Sequence, residues 1–186
     1  MRAANGLTGK GTVLSLGTGV PVPGGTDAGT LIVRPGAGGD GWTTIVASAD
    51  ESNSSTTAAS HATLRVPTSI ADGTYELQSL IRFQSAATTT GFQPGLVYPA
   101  QVTASYRVDV PISATAIVSM HAGASAQYAA GTAVGAVGTF YLATIWGVFV
   151  KSGTMLTALA LSYKSEIASS AVTVKAGSVL RWRKVA

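Results

Sequence analysis

The stretch AVGAVGTFYLATIWGVFV (residues 133–150) contains no charged side chain, and the uncharged run extends from Asp109 to Lys151. Such a run is either a membrane-spanning helix or a strand hidden inside folded protein. A spanning helix needs about 20 consecutive apolar residues. Here Gly131, Gly135, Gly138 and Gly147 interrupt the run, and β-branched and aromatic residues fill its second half, a composition that favours strand. Gly131 and Gly135 match the small-residue spacing of packed membrane helices, a weak signal in a chain with 22 glycines. The segment therefore reads as a strand, protected by protein instead of lipid.

Side chains alternate across a strand. TFYLATIWGVFV thus puts Phe140, Leu142, Trp146, Val148 and Val150 on one face, and Tyr141, Ala143, Ile145 and Phe149 on the other. Both faces are apolar, so both need cover. One face packs inside a sandwich, and the other calls for a second sheet, a loop or another subunit. Burying three large side chains against a second copy contributes roughly 5–9 kcal/mol before entropic costs. A homo-oligomer is expected, with compact threefold symmetry and with Phe140, Tyr141, Ile145, Trp146 and Phe149 as its interface. After the strand, KSGT (151–154) reads as a turn and MLTALALSY (155–163) as the second arm of a hairpin.

Working outward, TYELQSLIRFQ (74–84) places Tyr75, Leu77, Ile81 and Phe83 on one face and Glu76, Gln78, Arg82 and Gln84 on the other. VTASYRVDV (102–110) alternates in the same way, with Val102, Ala104, Tyr106, Val108 and Val110 inward. TLIVR (30–34), WTTIVAS, ATLRV, ISATAIVSMH, SSAVTV and SVLRWRKV read as further strands. DESNSSTTAASH (50–61) reads as a polar surface loop. AATTTGFQPGLVYPA (86–100) reads as a long loop with exposed aromatics. About ten short strands separated by turn signals, with no helical periodicity, predict an all-β fold, a jelly-roll-like β-sandwich. The first nineteen residues read as an extended N-terminal arm, and residues 20–186 as a single domain. The start, MRAANGLTGKGTV, lacks the apolar run of a secretory signal.

Charged residues make up only 11% of the chain, so the fold must rest on apolar and small side chains; there is no cysteine, which excludes disulfides and thiolate metal sites. The net charge of +4 is spread out. The basic cluster RWRK (181–184) reads as a last strand, with Arg181 and Arg183 on one face and Trp182 on the other, and no nucleic-acid partner is expected.

No catalytic signature emerges. His61 falls in the polar loop and His121 at a strand end, with no metal-ligand spacing between them, so each reads as a surface or strand-end histidine. Asp72 suits a turn, Glu76 a solvent-facing strand position, and Asp50 and Glu51 a loop, which leaves no carboxylate pair for glycoside hydrolysis. GAGGDG (36–41) fits a dinucleotide pattern by letter, yet no helix follows it. No cofactor or metal is expected, and the chain does not read as an enzyme.

ATLRVPTSIADGTYELQSLIRF, TFYLATIWGVFVKSGT and SSAVTVKAGSVLRWRKV, in that order, resemble the later strands of compact jelly-roll domains in tailed-bacteriophage virion proteins. These domains are similar to the trimeric TNF/C1q-like units of fibres and head decorations. The ending TVKAGSVLRWRKV carries the resemblance furthest. It implies a capsid decoration (cement) protein, made in the host cytoplasm and bound to the outer head surface as an oligomer. Its partners would be itself, as a trimer, and the major capsid protein, with no direct contact to nucleic acid or membrane. Within the arm, Arg2, Leu7, Lys10, Val13 and Leu14 are the expected capsid contacts. The other function the resemblance allows is a receptor- or glycan-binding head on a tail fibre, using Phe92, Tyr98 and Tyr128.

Overall fold

The computed structural model describes residues 41–186, which form twelve strands and no helix. The expected arm (1–19), with Arg2, Leu7, Lys10, Val13 and Leu14, and the strand expected at residues 30–34 lie outside the described residues. The strands are β1 (Thr43–Val46), β2 (Glu51–Asn53), β3 (Ala59–Val66), β4 (Gly73–Ser85), β5 (Phe92–Val97), β6 (Val102–Pro111), β7 (Ile117–Ala122), β8 (Gln127–Tyr128), β9 (Tyr141–Lys151), β10 (Leu159–Ser165), β11 (Val172–Val174) and β12 (Val179–Lys184).

They build two antiparallel sheets packed as a jelly-roll-like β-sandwich. The large sheet runs β1-β12-β4-β9-β6-β7, with β11 bridging β2 and β4; the small sheet runs β3-β10-β5-β8. The second half of the uncharged stretch is thus β9, a central strand paired with β4 over Gly73–Phe83 and with β6 over Val102–Asp109. Its period-two neighbours fall as their patterns require. Tyr75, Leu77, Ile81 and Phe83 of β4, and Val102, Ala104, Tyr106, Val108 and Val110 of β6, are all buried between the sheets.

An aromatic chain runs through the core. Phe83 stacks on Phe92 at 4.4 Å and on Tyr141 at 5.6 Å, Phe92 meets Tyr163 at 5.8 Å, and Tyr75 stacks on Phe149 at 4.9 Å. The Tyr106 hydroxyl joins the layers. It accepts from Leu96 N of β5 (3.4 Å) and donates to Gln127 O of β8 (3.3 Å), and burial raises its pKa to about 12.

The hairpin expected from KSGT is replaced by a crossing between layers. The turn forms, with Gly153 at φ 82°, but β9 stays with β4 and β6 while β10 joins β3 and β5. Two expected loops also carry strands. Residues 50–61 contribute β2 and the start of β3, and residues 86–100 contain β5. Pro94 and Gly95 mask β5 in sequence, yet Gly95 is demanded by its neighbour, since a Cβ there would sit 2.0 Å from Gln127 O.

A docking surface on the large sheet

Each of the six described acidic residues is already engaged. Asp50 accepts from Lys175 and from Ala176 N, and both bonds hold its carboxyl below the usual range. Glu51 accepts from Ala62 N at 2.8 Å. Asp72 holds the buried Lys151 ammonium and accepts from Gly153 N, which lowers its pKa as well. Glu76 pairs with Arg183. Asp109 is pushed up by partial burial, but hydrogen bonds from Ser119 and Arg107 outweigh this and lower it. Glu166 accepts from Gly91 N. Among the described residues no group of three or more His, Asp or Glu side chains could hold a metal ion. No helix among them is long and apolar enough to cross a membrane.

His61 departs from the surface role expected of it. It lies on β3 at 1% exposure, its Nδ1 accepting from Thr63 N (3.1 Å) and Leu64 N (3.2 Å). Burial pushes its pKa down, with Glu51 opposing and Arg65 reinforcing.

The five expected interface residues divide between the two faces of β9. Ile145 and Phe149 are fully buried in the sandwich and are not open to a second chain, while Tyr141 is partly buried against its core. Their burial follows from register. Ile145 lies between Ser79 and Val108, and Phe149 between Tyr75 and Ala104, on the inward rows of β4 and β6. Phe140 and Trp146 are open, joined by Leu142, Val148 and Val150, which the interface prediction omitted. All five are between 43% and 55% exposed and, interrupted by Thr144, form an apolar row along one strand face.

The row has an ordered border. On the β4 side, Val148 lies opposite Glu76, Trp146 opposite Gln78 and Leu142 opposite Arg82. On the β6 side, Trp146 lies opposite Arg107 and Thr144 opposite Asp109. Arg107 bonds Asp109 (2.8 Å), Arg181 bonds Gln78, and Arg183 bonds Glu76. Arg181 and Arg183 also lie 4.7 and 4.9 Å from the Trp42 ring, so the expected arginine face of the last strand is present and Trp182 is buried behind it. Arg82 stands 5.0 Å from the Phe140 ring. An open groove of about 400 Å3 runs between Trp42 and Trp146, floored by Leu77 and Gly147 and edged by Glu76 and Arg183.

Of the aromatics expected on exposed loops, Phe92 is a core residue, Tyr98 is partly buried, and Tyr128 lies on β8 with its hydroxyl 3.1 Å from that of Ser162. The arrangement defines a β-sandwich with one apolar sheet face bordered by charge, a surface suited to docking. No protein-family model matches the chain, and no curated protein matches it.

Proposed function

We propose that this chain is a non-enzymatic virion structural protein, a bacteriophage capsid decoration protein that binds the outer head surface as an oligomer and stabilises the shell. The observation that carries this reading is the exposed row Phe140, Leu142, Trp146, Val148 and Val150 on an otherwise well-packed sandwich. A surface of this kind supports function through contact. The resemblance of the 62–83, 139–154 and 169–185 segments to virion jelly-roll domains supplies the setting. The partners are further copies of the chain and the major capsid protein. Many weak contacts repeated over a shell hold it through multivalency, without any one strong contact.

The test is binding of the purified chain to isolated heads, with imaging of labelled particles. Binding in many copies over the head is expected. Val148→Glu, which sets a charge in the row, should weaken binding at least tenfold. Labelling confined to a few copies at the tail tip would instead support the second reading, a glycan- or receptor-binding fibre head. That reading is favoured by the Trp42–Trp146 groove, whose aromatic walls and Glu76 and Arg183 edge suit a sugar ring with its hydroxyls.

A further inference from the structure

We propose that two copies of this chain dock face to face through the outer face of the large sheet, about a twofold axis crossing β9 between Thr144 and Trp146. The inference deepens the oligomer of the proposed function and rests on that part of it. It replaces the threefold expected from sequence with a geometry that the order of side chains on this face specifies.

A protein–protein interface has an apolar centre and a polar rim, with Trp and Arg enriched. Here Trp146 is central, Leu142, Val148 and Val150 extend along its strand, and Arg181, Arg183, Glu76, Arg107 and Asp109 flank them. The five open side chains of the row expose on the order of 400–500 Å2, close to the apolar share of a standard interface of about 800 Å2 per partner.

A twofold contact demands self-complementarity, because each copy offers the same patch. The register places Ser79, Ile145 and Val108 in one line across β4, β9 and β6. A twofold axis over that line, perpendicular to the strands, maps each outward residue onto its counterpart equally far beyond the line. On β9, Val148 meets Leu142 of the second copy, and Val150 meets Phe140, the residue just before the strand. On β6, Arg107 meets Asp109, and on β4, Glu76 meets Arg82. The outer apolar groups of β9 thus face apolar groups, Trp146 covers Thr144 next to the axis, and each of these charges faces its opposite. Stacked sheets lie about 10 Å apart with strand directions within about 30°, so the pairs nearest the axis stay within side-chain reach. Shifting the axis by one outward position along the strands, to the Leu77–Gly147–Tyr106 line, sets Glu76 against Gln78 and Arg107 against Ser105, and the charge match is gone.

Sedimentation of the full chain over a concentration series tests the inference. Wild type should show twice the 18.7 kDa chain mass, and Trp146→Glu should weaken pairing at least a hundredfold. Glu76→Arg and Arg82→Glu should each stay single alone, since each sets like charges face to face. Mixed in equal amounts, they should pair, which a folding defect could not produce. Should either variant fail to fold, Thr144→Cys supplies a lone thiol in a chain without cysteine. It should crosslink in pairs with a short bis-maleimide, whereas Ala62→Cys on the other sheet should not. A single-chain mass at every concentration, whether the face is held by the chain's own first forty residues or reserved for the shell, overturns the inference. So does a three-chain mass, or a mixture of folded variants that fails to pair. Head binding by a chain that stays single would defeat this inference and leave the decoration reading standing.

Discussion

At the scale of the residue, His61 shows how a side chain can replace part of a ladder. The pairing of β3 with β10 shifts register between the Ala160–Arg65 and Ser162–Ser60 partners. Inside that irregularity the imidazole Nδ1 accepts the Thr63 and Leu64 N–H groups. An accepting Nδ1 places the proton on Nε2, which is buried without a hydrogen-bond partner. Protonating Nδ1 would break both backbone bonds, with Glu51 (3.6 Å), Arg65 and the Tyr163 ring (6.4 Å) around the new charge. Because burial lowers the folded pKa below the usual 6.5, the unfolded chain takes up the proton first as pH falls. This contribution to stability is therefore complete above that value and is lost as pH drops toward the lowered folded pKa. The urea midpoint of the wild type should fall between about pH 7.5 and about pH 5. His61→Leu should start about 1–3 kcal/mol lower, having lost the acceptor, and should lack that fall. An equally steep fall in the variant would rule out His61 as its source.

At the scale of the element, β9 is defined as much by its glycine as by its apolar residues. A Cβ at Gly147 would lie 2.5 Å from both Ser105 O and Tyr106 Cβ. Tyr106 occupies that space because its hydroxyl must cross to β5 and β8. Gly147→Ala should cost about 1–3 kcal/mol through overpacking, whereas Thr144→Ala on the open face of the same strand should stay within about 0.5 kcal/mol; equal costs in denaturant titrations would refute this account. Tyr106→Phe should strand the Leu96 N–H and Gln127 carbonyl, costing about 1–3 kcal/mol and speeding amide exchange at β8. Strands β4 and β6 were legible because each has one wet face, which fixes the phase of its alternation. In β9 both faces are apolar, so the sequence located the strand but not its inside. Pairing with the inward rows of β4 and β6 decides that, and it divided Ile145 and Phe149 from Trp146. β5 was hidden by Pro94 and Gly95, and the start of β3 by small polar residues. The sheet change between β9 and β10 depends on long-range pairing that no local turn signal encodes.

At the scale of the whole molecule, the two outer surfaces are unlike. On the small sheet, Gly95 and Ser162 form a bed on which Tyr128 rests, with Lys164 5.4 Å from its ring. Among the described residues none of the large exposed apolar side chains lies on a strand of that sheet, while five lie on β1, β7 or β9 in addition to Trp146. Self-association should therefore use one face only. Lys164→Glu on the small sheet should leave the two-chain mass unchanged under conditions where Val148→Glu abolishes it. Pairing of folded chains also couples assembly to stability, because the unfolded chain has no face to offer and mass action then favours the native state. The melting temperature of the wild type should rise with concentration, on the order of 2 °C per tenfold. That of Trp146→Glu should be independent of concentration and should meet the wild-type value at high dilution, since Trp146 points away from the core and its loss leaves the sandwich packing intact. A Trp146→Glu protein that melts far below the diluted wild type would mean that this side chain stabilises the single chain itself, and the row on β9 would then be part of the fold instead of a surface for a second copy.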